Sequence, residues 1–117
     1  MQPDVRVYLH DMKRACGLIE SFVKGKTVCE YAADVMLRSA VERQFEIVGE
    51  ALNQMVRRFP MYQSSISEAA SIVAFRNRLI HEYRTVSNSV VWAVLNEKMP
   101  VLKREVEALL EQIGDEV

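Results

Sequence analysis

One segment of the chain, Phe75–Tyr83, combines residue types that suit acid–base and phosphate chemistry. It places Arg76, Asn77, His81 and Tyr83 around apolar side chains at the predicted end of a helix. A histidine can exchange a proton near neutral pH, and an arginine can bind phosphoryl oxygens through its planar guanidinium. The segment is therefore the candidate functional site.

Each of these residues also has an ordinary structural interpretation. Arg76 lies within an apolar helical pattern, where it could border the core and extend to water, and burying it would require a partner or a water-filled cleft. His81 would lie at the C-terminal end of the helix, where the helix dipole and the adjacent Glu82 favour a cation, so it could simply cap the helix. Tyr83 could be a plain interfacial tyrosine.

Helix geometry limits how these side chains can meet. At about 100° per residue, Asn77 and His81 share a face, whereas Arg76 and His81 point about 140° apart. Arg76 and Tyr83 would nearly align if the helix reached that far. Either the helix unwinds near His81 or two chains contribute to one site, and the second option predicts a homodimer with a shared cleft.

The hydrophobic pattern predicts four helical segments, of which the first ends well before the candidate site. Asp4 is a plausible N-cap for it, and its apolar residues recur at steps of four and three as far as Val23. Gly25 then gives a C-terminal stop. Thr27 and Glu30 have capping-box spacing and are expected to open a short turn before the next helix.

The second long helix is predicted from about Asp34 to Phe59, with Pro60 ending it. Gly49 lies inside this helix. An interior glycine costs about 1 kcal/mol relative to alanine, so its presence indicates close approach of another helix.

A second capping-box pair, Ser65 and Glu68, is expected to open a third helix over roughly residues 66–81, which carries the candidate site. Pro100 should kink or divide the fourth helix. The sequence therefore predicts an all-α protein, an antiparallel up-and-down bundle of about four to five helices, in a single domain spanning residues 1–117.

Composition excludes several other classes of protein. The chain has 117 residues, 50% of them hydrophobic and 26% charged, which is typical of one globular domain. The formal net charge is −1, so any RNA contact must come from a local basic patch. No segment approaches the roughly 20 apolar residues of a membrane span, and no signal peptide is evident, so we expect a cytoplasmic protein with no membrane partner. Cys16 and Cys29 lack metal-ligand spacing and are expected to be buried thiols in a reducing compartment.

Arg76, four residues, His81, one residue and Tyr83 match the Arg-x4-His-x-Tyr motif of HEPN ribonucleases. The segment around the motif resembles the HepT-like subgroup of that superfamily. Residues 40–51 resemble the second-helix signature of this subgroup, and residues 91–103 resemble its last helix. The resemblance covers nearly the whole chain, and the three segments occur in the expected order.

The resemblance implies an endoribonuclease that needs no metal and no cofactor, in which the ribose 2′-OH attacks the adjacent phosphorus. His81 would act as general acid or base, and Arg76 would stabilise charge on the phosphoryl oxygens. Asn77 would orient the histidine or the phosphate. Arg78 and Arg84 could extend a local basic patch for RNA.

The resemblance also implies a toxin with a minimal nucleotidyltransferase as its antitoxin, which would add AMP to Tyr83. The added bulk and negative phosphate should block RNA at the site. An alternative is a non-catalytic interaction or nucleotide-binding module that partners the nucleotidyltransferase, and a third interpretation is a plain structural bundle. The full Arg-His-Tyr set favours the ribonuclease. The near-neutral net charge and Glu82, which stands where many relatives have glycine, favour the interaction module.

Overall fold

The computed structural model describes residues 4–114, except for the side chain of Tyr83. Over this range the α-helices are α1 (Val5–Val23), α2 (Val28–Ala33), α3 (Val35–Arg58), α4 (Ala69–His81), α5 (Asn88–Glu97) and α6 (Met99–Ile113). Two 3₁₀ helices, Pro60–Ser65 and Tyr83–Thr85, flank α4. No strand occurs within the described range, which confirms the predicted all-α fold.

Local sequence signals set the ends of the first helices as predicted. The Asp4 side chain accepts the backbone N–H of Arg6 and caps α1, and Gly25, with a φ of 73°, follows the end of that helix. Thr27 and Glu30 form the expected capping box before α2. In it, the Glu30 N–H donates to the Thr27 hydroxyl at 3.1 Å, and the Thr27 N–H donates to the Glu30 carboxylate at 2.9 Å.

The predicted fourth helix is divided into α5 and α6, with the break at Lys98. Pro100 lies in the first turn of α6, where its missing N–H costs no helical hydrogen bond. The hydroxyl of Ser87 accepts the Val90 N–H at 3.2 Å and caps α5. This division and the short α2 bring the α-helices of the described range to six.

The capping box predicted at Ser65 and Glu68 does not form, and this expectation was wrong. Ser65 closes the first 3₁₀ helix, and Glu68 stands before α4 without a side-chain cap. Glu105 of α6 instead accepts both the backbone N–H and the hydroxyl of Ser67, at 3.1 Å each. A contact from a distant helix therefore holds the segment that leads into α4.

The helices pack antiparallel around α1 and α3. Arg58 at the end of α3 donates to the Tyr8 hydroxyl near the start of α1 at 2.7 Å. Lys103 near the start of α6 pairs with Glu20 near the end of α1 at 2.5 Å. Most of the predicted apolar residues of α1 and α3 are buried: Val5, Leu9, Met12, Cys16, Ile19, Leu37, Val41, Phe45, Val48, Leu52 and Met55. α4 packs against α3, so the core holds the helix that carries the candidate site.

The two cysteines differ in environment, which corrects the expectation that both are buried. Cys16 is buried in α1, and burial raises the pKa of its thiol to about 12. Cys29 is exposed, because the short α2 buries little besides Tyr31.

None of the helices within residues 4–114 combines the length and apolar character needed to cross a bilayer.

Candidate functional site

α4 remains a regular helix through His81. The backbone N–H of Glu82 donates to the carbonyl of Arg78 at 2.8 Å, so the helical hydrogen bonds continue to the end of the helix. The helix ends directly after His81 but does not unwind between Arg76 and His81, so unwinding near His81, one of the two arrangements left open by the sequence, does not bring the two side chains together. Tyr83 lies beyond the helix in the following 3₁₀ turn, so it does not align with Arg76 on one helix, and its side chain is outside the described part of the structure.

The partner of Arg76 is Glu50 on α3. Nη2 of Arg76 donates to Oε2 of Glu50 at 2.5 Å, and Nη1 donates to Oδ1 of Asn77 at 2.9 Å. The Arg76 side chain is only 22% exposed, so it is held between helices rather than solvated at the surface. This contact supplies the partner that a partly buried arginine requires.

Gly49 makes room for this arginine. A Cβ at Gly49 would lie 2.2 Å from Cβ and 2.5 Å from Cγ of Arg76, closer than real atoms pack. The predicted close approach of another helix is therefore confirmed, and the approaching group is the stem of Arg76.

Glu50 and Gln54 are site residues that the sequence reasoning missed. Nε2 of Gln54 donates to Oε1 of Glu50 at 2.7 Å, so each carboxylate oxygen of Glu50 has its own donor. The available signal was the position of Glu50 directly after Gly49, next to the predicted helix approach, with Gln54 one turn further along the same face.

A cleft of about 280 Å³ opens beside this network, between α1, α3 and α4. Its walls include Asp11 of α1, Glu46 and Glu50 of α3, and Arg76 and Ile80 of α4. Arg43 of α3 also lines the cleft, so its walls carry three carboxylates and two arginines, and Arg76 is one of two positive charges in a mixed environment.

His81 stands apart from Arg76. His81 and Asn77 are both exposed and lie one helical turn apart on the same face of α4, and His81 is not among the residues that line the cleft. Arg78 is partly buried, and Arg84 is exposed in the 3₁₀ turn. One chain thus brings Arg76 and Asn77 together at 2.9 Å and leaves His81 on the outer face of the helix.

The described residues contain no group of three or more His, Cys, Asp or Glu side chains that could hold a metal ion.

The comparisons with known proteins agree on one family. The model of the family described as "Ribonuclease HepT-like" matches residues 12–109. The chain is 32% identical over 102 residues to the Thermococcus cleftensis protein named "Probable ribonuclease HepT", covering 87% of this chain and 92% of that one.

Two proteins of Methanocaldococcus jannaschii are also similar to the chain. One, named a "Putative RNase", is 32% identical over 108 residues, covering 89% of this chain and 94% of that one. The other, named "Gamma-glutamylcyclotransferase and putative RNase", is 30% identical over 113 residues, covering 97% of this chain and 50% of its own length. The chain thus spans about half of that protein. No solved structure matches the chain.

Proposed function

The chain belongs to the HepT-like ribonuclease family of the HEPN superfamily, and from this premise we propose that it is a metal-independent endoribonuclease that acts as the toxin of a toxin–antitoxin pair. The observation that carries the proposal is the way in which the Arg76 side chain is held. Its guanidinium is fixed by Glu50 and Asn77 at the wall of a cleft, within a complete Arg-x4-His-x-Tyr motif. A plain structural bundle has no need of an arginine fixed in this way.

The proposed reaction is attack of a ribose 2′-OH on the adjacent phosphorus of an RNA substrate. His81 acts as general acid or base, and its exposure leaves the imidazole accessible to RNA. Arg76 stabilises the charge that develops on the phosphoryl oxygens. Asn77, which accepts from Arg76, orients the histidine or the phosphate, while Arg78 and Arg84 contribute to the local attraction of the RNA backbone.

The regular geometry of α4 supports the homodimer that is part of the proposal. Arg76 points towards α3 and the cleft, whereas His81 is on the exposed face. A phosphate must lie within hydrogen-bond reach of both groups, about 3 Å from each. Because α4 stays helical through His81, a second copy that faces the exposed side of α4 is the simplest source of the missing group.

Control by a minimal nucleotidyltransferase antitoxin is the regulatory part of the proposal. Tyr83 follows His81 by two residues and is the proposed acceptor of AMP. An AMP group there adds bulk and negative charge close to the histidine, where it opposes binding of an RNA phosphate. Glu82 already adds one negative charge at this position.

The first experiment is RNA cleavage by the purified, unmodified protein in excess chelator. We expect cleavage by the parent, and losses of about 100- to 10,000-fold in Arg76→Ala and His81→Ala. Matched controls are His10→Ala, which removes the other histidine, and Arg104→Ala, on an exposed position of α6. Circular dichroism establishes that all variants are folded, and intact mass establishes that Tyr83 carries no AMP.

A mixing experiment tests the homodimer. Arg76→Ala and His81→Ala proteins are unfolded together and refolded as a mixture. If each site takes Arg76 from one chain and His81 from the other, half of the dimers carry one intact site of two, so about a quarter of parental activity returns. If the mixture is as inactive as its components, the shared site is wrong.

The alternative function is a non-catalytic module that binds the nucleotidyltransferase or a nucleotide. Its supporting observation is that three carboxylates outnumber the two arginines in the lining of the cleft, which disfavours an RNA phosphate. It becomes the better account if the unmodified parent leaves RNA intact, or if all variants cleave equally.

A further inference from the structure

Arg76 belongs to a chain of four hydrogen-bonded side chains that joins α3 to α4. Gln54 donates to Glu50 at 2.7 Å, Glu50 accepts from Arg76 at 2.5 Å, and Arg76 donates to Asn77 at 2.9 Å. Each member is thereby held by the next. The orientation of the guanidinium is thus set from α3, although the motif itself lies on α4.

The aliphatic part of the Arg76 side chain is confined as well as its guanidinium. The Cβ and Cγ of Arg76 pack so closely against Gly49 that a Cβ at Gly49 would lie 2.2 Å and 2.5 Å from them. The Nε of Arg76 is buried, and it has no hydrogen-bond acceptor among the described residues. A guanidinium has five N–H donors, of which one here goes to Glu50 and one to Asn77. One hydrogen on each Nη nitrogen is left without a described acceptor, and these two remain for a phosphate.

The charge of Glu50 has two opposite consequences for an anionic ligand. It fixes the guanidinium, so that no side-chain ordering is required when the ligand binds. It also neutralises much of the positive charge of Arg76 and therefore weakens ground-state attraction for phosphate. A residue with both effects favours the rate of the chemical step over tight substrate binding.

We propose that Glu50 is a positioning residue for RNA cleavage, which holds the guanidinium of Arg76 at the wall of the cleft in the orientation that the transition state needs. Gln54 fixes Glu50 in turn, and Gly49 permits the contact. This proposal rests on the proposed ribonuclease function and adds α3 residues to a site defined so far by α4.

The test compares Glu50→Gln with Glu20→Gln. The control is closely matched, since Glu20 pairs with Lys103 at 2.5 Å and is 45% exposed, against 2.5 Å and 43% for Glu50. We expect Glu50→Gln to lower kcat about 10- to 100-fold while KM falls, because orientation is lost and an opposing charge is removed. Partial unfolding would lower kcat without lowering KM, and Glu20→Gln should leave both constants unchanged.

A second readout does not depend on activity. In ¹⁵N-labelled protein, rotation about the Nε–Cζ bond of Arg76 should be slow in the parent and in Glu20→Gln, and fast in Glu50→Gln. If Glu50→Gln does not fold, Gln54→Leu takes its place, with a smaller loss of kcat and the same change in rotation.

The outcomes separate the positioning role of Glu50 from the proposed ribonuclease function. An active parent with Glu50→Gln within twofold of its kcat overturns the positioning role and leaves the ribonuclease intact. Fast rotation of Arg76 in the parent also overturns it. A parent that does not cleave RNA ends the proposed function, and the role of Glu50 falls with it.

Discussion

Replacing Gly49 with alanine puts the close approach of α3 and α4 to a quantitative test. Within a helix, the change from glycine to alanine alone stabilises a protein by about 1 kcal/mol. Here the new Cβ would lie 2.2 Å from Cβ of Arg76, against at least 3.4 Å for ordinary contact. Because Cβ of Arg76 is bonded to its backbone, α4 must move by more than 1 Å. Overpacking costs about 1–3 kcal/mol, so we expect Gly49→Ala to lower the free energy of unfolding by up to about 2 kcal/mol.

Gly17→Ala is the matched control for this prediction. Gly17 lies inside α1, and a Cβ there would meet nothing within 4 Å. We expect it to raise the free energy of unfolding by about 0.5–1 kcal/mol, so the two substitutions should have opposite signs. Urea denaturation of both variants and the parent measures the difference, provided the dependence on urea is the same in all three. If Gly49→Ala stabilises the protein as much as Gly17→Ala does, the reasoning about the helix contact is refuted.

Three further predictions concern residues outside the site. In the native protein, a thiol reagent should modify Cys29 rapidly and should modify Cys16 only after unfolding. Cys29 is exposed, whereas burial raises the pKa of the Cys16 thiol to about 12. Rapid modification of both thiols in the native protein would contradict this. Thr27→Ala should lower the free energy of unfolding by about 1 kcal/mol, because the capping box is lost, and an unchanged urea midpoint would argue against that role. Burial raises the pKa of Glu42 in the folded state, so its ionised form opposes folding above that pKa and the penalty disappears as the pH falls below the unfolded value. Glu42→Gln should therefore stabilise the protein at pH 7 and not below about pH 4, and an equal gain at both pH values would count against this account.

Contacts within one helix were mostly predictable from the sequence, with the capping box at Ser65 and Glu68 as the exception, and contacts between helices mostly were not. The break at Pro100 follows from proline chemistry alone, since the ring and the missing N–H act on neighbouring residues. The contact from Glu105 to Ser67 joins residues 38 positions apart, and the pair of Glu50 and Arg76 joins residues 26 apart. Such pairs depend on how each helix is rotated about its axis, and hydrophobic periodicity sets that rotation too loosely to specify a hydrogen bond.

Under the proposed function, the placement of Arg76 and His81 on two faces of α4 would link catalysis and control. The inner face holds Arg76, whose orientation is fixed through Glu50 before any ligand arrives. The outer face holds His81, which is exposed, so a molecule that binds this face would determine the environment of the imidazole. If RNA is cleaved here, the arginine half of the site is preorganised within one chain, and the histidine half must be completed by assembly with a second copy. Activity could then be regulated at the outer face alone, so AMP on Tyr83 would act on the half of the site that the single chain leaves open.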